Sequence, residues 1–178
     1  MTQINDLSGQ LYMSSLQTDF GWIRPISDGD NLIRLDWNQT GWYELDRPDH
    51  VSRETKSQLE AFFLGKLHQF YLPIAPIGKS AIGQYWLDIM AKIPYGTVMT
   101  YAEFAKFAGK PNAARTAGSS CSRNPIPIIY PCHRVIRTDG TLGNYGGGSD
   151  HHPAHPENLA RKAALLNLES QQIEYFAD

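Results

Sequence analysis

Short runs of apolar residues alternate with polar ones between residues 10 and 45, and turn-forming residues separate the runs. Three segments show the alternation most clearly, at residues 11–13, 21–23 and 32–37. A repeat of two places alternate side chains on the same face of a pleated strand. The pattern therefore predicts a small antiparallel β-sheet in the first part of the chain.

A helical repeat follows the predicted sheet. Four apolar side chains share one face of a helix predicted to begin near Ser52, at Leu59, Phe62, Phe63 and Leu67. Two prolines and a glycine in residues 72–78 cannot continue a helix, so this segment is a connector. We predict a domain boundary beside it, with one domain at residues 1–75 and a second at residues 76–178.

Two short helices are predicted in the second domain. Thr100 and Glu103 form a capping-box sequence, in which each side chain accepts a hydrogen bond from the other residue's backbone N–H. A helix is therefore predicted from the residue after Thr100 until Gly109. Pro111 suits the first position of the next helix, over residues 111–122. Two short helices joined by a glycine-containing turn make a helix-turn-helix.

Small residues dominate the second of these helices, which is rich in Ala, Gly and Ser. Small side chains allow a helix face to approach a bulky partner such as DNA closely. They equally allow tight packing against another helix. The composition of the helix alone does not decide between these two explanations.

The last part of the chain carries two loops and a helix. A glycine-rich loop at residues 143–148 is followed by a polar, proline-broken loop at residues 149–156. A helical repeat then predicts a helix over residues 157–168. The side chains expected to face the core are Leu159, Ala163 and Leu166, with Leu165 as a further candidate.

The bulk composition is that of a globular protein. Hydrophobic residues make up 42% and charged residues 19% of the chain, and no apolar run approaches the roughly 20 residues of a membrane helix. The N-terminus lacks the basic and apolar segments of a secretory signal. The two cysteines, Cys121 and Cys132, provide no disulfide framework. We therefore expect a reducing compartment, the cytoplasm or, in a eukaryote, the nucleus, and no membrane partner.

The net charge of −2 conceals a basic segment. Residues 92–148 hold 7 Lys and Arg against 2 Asp and Glu. The segments on either side are acidic, with 7 against 11 in residues 1–91 and 2 against 5 in residues 149–178. A basic segment is compatible with binding to nucleic acid. An ordinary fluctuation explains the same imbalance, so charge permits a nucleic-acid partner without identifying one.

Cys132 and His133 form the candidate reactive pair. A thiolate is the nucleophilic form of cysteine, and a nearby imidazole can take up its proton. The alternative is that Cys132 is a small buried apolar residue, since neighbours in a strand point to opposite faces. The dipeptide alone does not decide between these two interpretations.

Six short motifs stand in order between residues 72 and 170. They are IPYG at 93–96, TY at 100–101, AAR at 113–115, NP at 124–125, PCHRV at 131–135 and GNY at 143–145. Together they resemble the O6-alkylguanine-DNA alkyltransferases, and residues 163–169 look like the family's terminal helix with its acidic residue. The PCHRV core is the most specific part. The first 70 residues resemble the family only in size and in strand-helix order.

The resemblance implies an α+β fold and a repair function. An RNase H-like N-terminal support domain, with a small antiparallel sheet and a helix, precedes a mainly helical, winged-helix-like domain that binds DNA and accepts the alkyl group. The implied reaction is irreversible transfer of the alkyl group from O6-alkylguanine to Cys132, once per molecule and without a cofactor. The implied partner is the minor groove of double-stranded DNA, bound by a monomer. Whether alkylated thymine is also repaired stays open.

The resemblance also implies roles for individual residues. His133 acts through a water to deprotonate Cys132, and Glu169 orients the imidazole. Asn124 braces the turn that carries the cysteine, and Tyr101 donates a hydrogen bond to the flipped guanine. The substrate pocket is expected to be lined by Tyr101, Pro127, Val135, Tyr145 and Gly146.

DNA contacts are implied for the second helix of the helix-turn-helix. Arg115 is expected to occupy the space that the flipped base vacates. The other expected contacts are Ala114, Ala117, Gly118, Ser119 and Arg123.

Parts of the sequence are also compatible with two other functions and with one metal site. A lesion-binding protein of this type lacks the acceptor cysteine, so Cys132 argues against it. A helix-turn-helix regulator with a sensing thiol would use Cys121 as the resolving partner, whereas we interpret Cys121 as a buried small residue. His151, His152 and His155 are potential metal ligands, but prolines break the helical register and a polar loop is the favoured interpretation. A thiolate zinc site in the first domain is excluded, because no cysteine precedes residue 121.

Overall fold

The structure is a computed structural model that describes residues 10–42 and 44–176. The chain divides into two compact units, Met1–Ile77 and Gly78–Asp178. The connector at residues 72–78 forms no helix. Its backbone pairs instead with Leu32, which donates to the Pro73 carbonyl at 2.8 Å and accepts from the Ala75 N–H at 3.0 Å.

In the described residues of the first unit, 10–42 and 44–77, there are an antiparallel sheet and one helix. These elements are β1 (Tyr12–Met13), β2 (Leu16–Thr18), β3 (Gly21–Ser27), β4 (Leu32–Asn38) and α1 (His50–Phe63). Strand β3 is central, because β1, β2 and β4 all pair with it in antiparallel register. Ile23 of β3 lies opposite Leu16 and Trp37. The predicted antiparallel sheet is confirmed.

Helix α1 begins at His50, two residues before Ser52. Asp49 caps it, since the Asp49 side chain accepts from the Ser52 N–H and the Ser52 hydroxyl accepts from the Asp49 N–H. Leu59 and Phe62 are buried as predicted. Leu67 was wrongly placed on this helix, because Gly65 adopts φ 70° and ends it soon after Phe63.

The second unit is mainly helical. Its elements are α2 (Ala81–Met90), β5 (Met99–Thr100), α3 (Tyr101–Phe107), α4 (Ala114–Ser122), a 3-10 turn (Cys132–Arg134), β6 (Val135–Ile136) and α5 (Pro156–Phe176). Strands β5 and β6 pair in parallel, with Met99 opposite Val135. This pairing places the residues after Thr100 beside the segment that carries the candidate cysteine. With the sheet of the first unit, the predicted α+β class is confirmed.

The helix-turn-helix consists of α3 and α4. The capping box at Thr100 and Glu103 is present, and Gly109 adopts φ 68° after α3. Helix α4 begins at Ala114, three residues after the predicted start at Pro111. The reason is a turn closed by the Ala113 N–H and the Lys110 carbonyl at 2.9 Å, which takes up the residues around Pro111.

Helix α5 buries a polar face, contrary to the sequence prediction. Leu165 is fully buried, whereas Ala163 is exposed and Leu159 and Leu166 are half-buried. Among residues 156–171 of the helix, the other buried positions are Asn158, Arg161, Lys162 and Glu169. An apolar repeat does not reveal a face whose buried groups are satisfied by hydrogen bonds and charge pairs.

Within residues 10–42 and 44–176, no helix has both the length and the apolar character needed to cross a bilayer.

Candidate active site

Cys132 and His133 lie in a 3-10 turn rather than in a strand. Three residues complete one 3-10 turn, so neighbouring side chains do not point to opposite faces. Both are consequently buried, with 1% of Cys132 and 0% of His133 exposed. The Cys132 N–H donates to the Tyr130 carbonyl at 2.8 Å, which holds the start of the turn in place.

Asn124 joins the end of α4 to the nucleophile. Its amide Nδ2 donates to the Tyr130 carbonyl at 2.7 Å and to the Cys132 sulfur at 3.1 Å. Its Oδ1 accepts from the Ile126 N–H at 3.0 Å. Both polar atoms of this buried amide, Nδ2 and Oδ1, therefore have hydrogen-bond partners. The bond to sulfur is stronger for a thiolate than for a thiol, because a charged acceptor strengthens a hydrogen bond.

The environment of Cys132 contains opposing influences on its pKa. Burial raises the pKa of the Cys132 thiol, and the Asn124 hydrogen bond and the charge of Lys162 oppose this rise. The net direction is upward, so the resting sulfur is a thiol. A base is needed before the sulfur can act as a nucleophile.

Glu169 is the centre of a buried ionic network. His133 Nε2 lies 2.7 Å from Glu169 Oε1, and Arg134 donates through Nε to Oε2 and through Nη2 to Oε1, both at 2.9 Å. The Gly96 N–H donates to Oε2 at 2.9 Å. Burial by itself raises the pKa of Glu169, but the hydrogen bonds to His133 and Arg134 and the charge of Arg134 outweigh it and lower the pKa to about 2. The carboxylate is therefore charged.

This network sets the tautomer of His133. Burial lowers the pKa of His133 more than Glu169 raises it, so the imidazole is neutral. Facing a charged carboxylate, Nε2 must carry the proton and donate it. Nδ1 is then the unprotonated nitrogen. It is buried and makes no hydrogen bond to any residue that the structure describes.

Lys162 is a buried cation whose place in the site was not predicted from the sequence. Its ammonium Nζ donates to the carbonyls of Val135 and Leu142, each at 2.5 Å, and lies 3.4 Å from the Asn144 carbonyl. It is 0% exposed. Burial lowers the pKa of Lys162, and a Cys132 thiolate raises it. Lys162 therefore fixes the glycine loop to the strand after the nucleophile and supplies positive charge near the sulfur.

Tyr101 packs in a narrow space between α4 and the glycine loop. A Cβ on Gly143 would lie 2.8 Å from its hydroxyl, and a Cβ on Gly118 would lie 3.8 Å from its ring. Gly143 also adopts φ 69°, so glycine is required there by both conformation and space. The Lys162 ammonium lies 5.8 Å from the ring centre. Burial raises the pKa of Tyr101, which therefore keeps its proton and remains a donor.

The other expected pocket residues are buried around the same turn. They are Pro127, Val135 and Tyr145, with Gly146 half-buried. The Tyr145 hydroxyl is buried and has no hydrogen-bond partner among the described residues. A Cβ on Gly147 would lie 3.0 Å from Pro127, so the glycine loop closely approaches this side of the site. Because Cys132 is itself covered, a ligand can reach the sulfur only if neighbouring groups move.

The expected DNA contacts divide into exposed and buried positions along α4. Arg115, Ser119 and Arg123 are exposed, and Ala114 is half-buried. Ala117 is 0% exposed. Ala117 therefore packs in the interior, and its side chain can reach DNA only if neighbouring groups move. The half-buried Gly118 has a packing explanation too, since it faces the ring of Tyr101.

Two of the expected DNA contacts, Ser119 and Arg123, border a cavity in the second unit. Ser119 and Arg123 line a space of about 210 Å³ between α2 and α4, together with Lys79 and Ser80. Lys79 donates to the Arg123 carbonyl at 2.5 Å. This cavity is lined by residues other than those around Cys132.

Comparisons with known proteins identify the family of the chain. Residues 83–171, half of the chain, match the family model described as the DNA-binding domain of 6-O-methylguanine DNA methyltransferase. The methylated-DNA–protein-cysteine methyltransferase of Methanosarcina acetivorans is 46% identical over 146 residues, which are 79% of this chain and 92% of the relative. The enzyme of the same name from Methanosarcina barkeri is 49% identical over 98 residues, 55% of this chain but only 61% of the relative. The chain thus spans less than two thirds of that second relative.

A solved structure extends the similarity to the fold. The Mycobacterium tuberculosis OGT, an O6-methylguanine methyltransferase, has been crystallised in complex with DNA. That complex matches with a TM-score of 0.73 and 31% identity, over 89% of this chain and 92% of that chain. The segment that the family model matches, residues 83–171, contains Cys132, His133 and Glu169. The chain belongs to the family of methylated-DNA–protein-cysteine methyltransferases.

Proposed function

We propose that the protein repairs O6-alkylguanine in DNA by direct reversal, with Cys132 as the acceptor. The observation that carries the proposal is the buried array in which Asn124 contacts the Cys132 sulfur and Glu169 holds His133. In the reaction the sulfur attacks the alkyl carbon, an S–C bond forms, and the C–O bond to guanine breaks. The proton lost by the thiol is balanced by protonation of the departing guanine. Since the thioether has no route back, each molecule acts once.

His133 is the base in this proposal. Its Nδ1 is unprotonated and makes no hydrogen bond to a described residue, so it is available to a water that bridges to the thiol. Glu169 stabilises the imidazolium that forms when the proton arrives. Asn124 then donates to a thiolate, which is the stronger acceptor.

Tyr101 and the glycine loop recognise the base in this proposal. A protonated phenol can donate to the guanine as negative charge develops on it during departure. The Tyr145 hydroxyl, which has no partner among the described residues, is a second donor that a ligand can satisfy. Pro127 and Val135 supply the apolar walls, and the backbone near Gly146 reads the edge of the base.

Double-stranded DNA is the proposed partner, contacted through its minor groove by α4. The alkylated oxygen is buried in the duplex, so the nucleotide must rotate out at a cost of a few kcal/mol. The exposed Arg115 enters the vacated space, while Ala114, Ser119 and Arg123 contact the backbone. In this scheme residues 76–178 bind DNA and accept the alkyl group, residues 1–75 support them, and the protein acts as a monomer in the cytoplasm.

Mass spectrometry of the protein after incubation with methylguanine-containing duplex DNA tests the proposal. We expect a gain of about 14 Da, the mass of one methylene, on a stoichiometric fraction of the protein. Peptide mapping should place it on Cys132, with Cys121 unmodified as an internal control. Folded protein that gains no mass, or gains it on Cys121, would overturn the proposal.

Replacement of Arg115 by alanine is expected to slow transfer from duplex DNA by about tenfold, equivalent to about 1.4 kcal/mol of lost stabilisation. The reason is that the variant cannot occupy the space left by the flipped base. Transfer from free O6-methylguanine should change less than twofold, because no base has to be flipped. Single-turnover rates with the two substrates measure the effect. The control is Lys92→Ala, which removes an exposed positive charge elsewhere in the unit; equal loss on both substrates would exclude the role of Arg115.

The transfer rate is expected to stay level as the pH falls from 8 to about 6.5, the ordinary pKa of histidine. The pKa of His133 is lowered by burial, so its neutral form persists below that pH. Only at more acidic pH should protonation remove the base and slow the reaction. Single-turnover rates measured from pH 5 to 9 on an otherwise constant buffer test this. A rate that instead rises tenfold per pH unit up to pH 9 would show that free thiolate forms without His133.

A further inference from the structure

The loop at residues 149–156 is anchored against the glycine loop beside the active site. The Tyr145 N–H donates to the Pro153 carbonyl at 2.8 Å, and a Cβ on Gly146 would lie only 2.7 Å from the Pro153 ring. Asn158, buried in the first turns of α5, donates to the His152 carbonyl at 3.1 Å. The position of this loop is therefore coupled to that of the glycine loop.

The anchored loop brings two imidazoles and a carboxylate together. His151, His155 and Glu157 each offer a ligand atom, and these atoms all lie within 4.8 Å of one another. The rings of His151 and His155 stack with their centres 4.0 Å apart at an angle of 9°. His151 Nε2 lies 3.4 Å from Glu157 Oε2. The prolines that break the helical register thus do not prevent the convergence of these groups.

Glu157 has a carboxylate oxygen, Oε2, that is available to bind a cation or to accept a hydrogen bond. Its Oε2 is buried and accepts no hydrogen bond within the described part of the chain. It has two longer ionic contacts, to His151 Nε2 at 3.4 Å and to Arg161 Nη2 at 3.8 Å. A buried carboxylate oxygen without a hydrogen bond is uncommon and is satisfied by a cation in many proteins.

The third histidine of the loop is turned away from this group. His152 Nδ1 accepts from the Ala154 N–H at 3.2 Å, within its own turn. Within the described part of the chain, the ring of His155 accepts one long hydrogen bond, from the Glu157 N–H at 3.4 Å, besides its stacking on His151. Binding of a metal ion by His155 would therefore disrupt no short hydrogen bond of its ring. His152 provides a matched control from the same loop.

We propose that His151, His155 and Glu157 bind one divalent transition-metal ion, with Zn²⁺ as the fitting ion. Imidazole and carboxylate ligands suit Zn²⁺, which binds them at about 2.0–2.2 Å and accepts water as a fourth ligand. Ligand atoms in such a site lie about 3.3 Å apart, so a modest contraction of the group completes it. The ion ties the loop to the first turn of α5 and holds Pro153 against Gly146. This binding does not depend on the alkyl transfer proposed for Cys132.

Calorimetric titration of the full, tag-free chain with ZnCl₂ tests the site. We expect one ion per chain, with affinity reduced at least about tenfold in His151→Gln and in His155→Gln. The His152→Gln control should stay within twofold of the parent chain. Circular dichroism confirms that each variant is folded before the comparison is made.

Cobalt absorption distinguishes this site from the two cysteines. Co²⁺ bound by histidine and carboxylate shows weak visible bands without the intense near-ultraviolet absorption of a cobalt–thiolate bond. The proposal is overturned by a thiolate band, by the absence of saturable Zn²⁺ binding, or by an equal loss of affinity in His152→Gln. None of these measurements requires DNA or alkyl transfer, so failure of the metal site and failure of the repair function are separable.

Discussion

Alkyl transfer is expected to be lost completely when Cys132 is replaced by alanine. The variant has no sulfur at the position that Asn124 contacts. The remaining thiol cannot substitute, because Cys121 is buried and burial raises its pKa, so it stays a thiol. The measurement is the mass of the protein after incubation with methylguanine-containing duplex DNA, together with binding of that duplex by fluorescence anisotropy.

Retained DNA binding in Cys132→Ala separates the chemical step from recognition. Because the cysteine is covered and the exposed DNA-contact candidates lie on α4, we expect affinity for the duplex to change less than about threefold. The matched control is Cys121→Ala, which removes the other buried thiol. If Cys121→Ala loses transfer while folded, the two cysteines act together, as in a sensing regulator, and the single-acceptor mechanism fails.

The local parts of the fold were predictable because their signals are local. Strand alternation before residue 45 and the capping box at Thr100 involve residues within a few positions of one another, and both are confirmed. The start of α4 was predicted three residues early, since Pro111 is compatible with a first helical position and with a turn. Propensity does not distinguish these two states, whereas the bond from the Ala113 N–H to the Lys110 carbonyl does.

The electrostatic part of the site was only partly predictable. Glu169 was placed beside His133 by family resemblance, and the two side chains do make contact. The contribution of Arg134 was missed, because its partners, Glu169 and the Ile93 carbonyl, are far away in the sequence. Lys162 was missed for a related reason. A lysine on a helix is normally exposed, and its three carbonyl partners come from the strand and loop that follow the nucleophile.

Buried polar residues along α5 explain why the spacing of its apolar residues did not predict its buried face. The helix stabilises the site through Lys162 and Glu169, whose charged groups are satisfied by carbonyls, His133 and Arg134. Such a face costs desolvation that only a nearly complete set of partners offsets. The helix is thereby committed to one register, since a shift of one residue would bury both charges without partners.

Replacement of Glu169 by glutamine is expected to destabilise the protein by about 3–5 kcal/mol, because it leaves the buried Arg134 without its charged partner. The transfer rate should fall by at least about tenfold, since the imidazolium of His133 is no longer stabilised and its orientation is no longer held. Urea unfolding and single-turnover transfer measure the two effects. Asn167→Ala, an exposed change on the same helix, should cost less than about 0.5 kcal/mol and leave the rate unchanged.

The pH dependence of stability identifies the carboxylate as the cause. The pKa of Glu169 is about 2 in the folded protein and near its ordinary value of 4.5 in the unfolded chain. As the pH falls, Glu169 therefore takes up a proton in the unfolded chain before it does so in the folded protein. The stabilisation by Glu169 is complete above pH 4.5 and is lost as the pH falls towards 2. In Glu169→Gln this part of the acid destabilisation should be absent. A variant that unfolds in acid just as the parent does, with unchanged stability at neutral pH, would show that the network around Glu169 contributes no net stability.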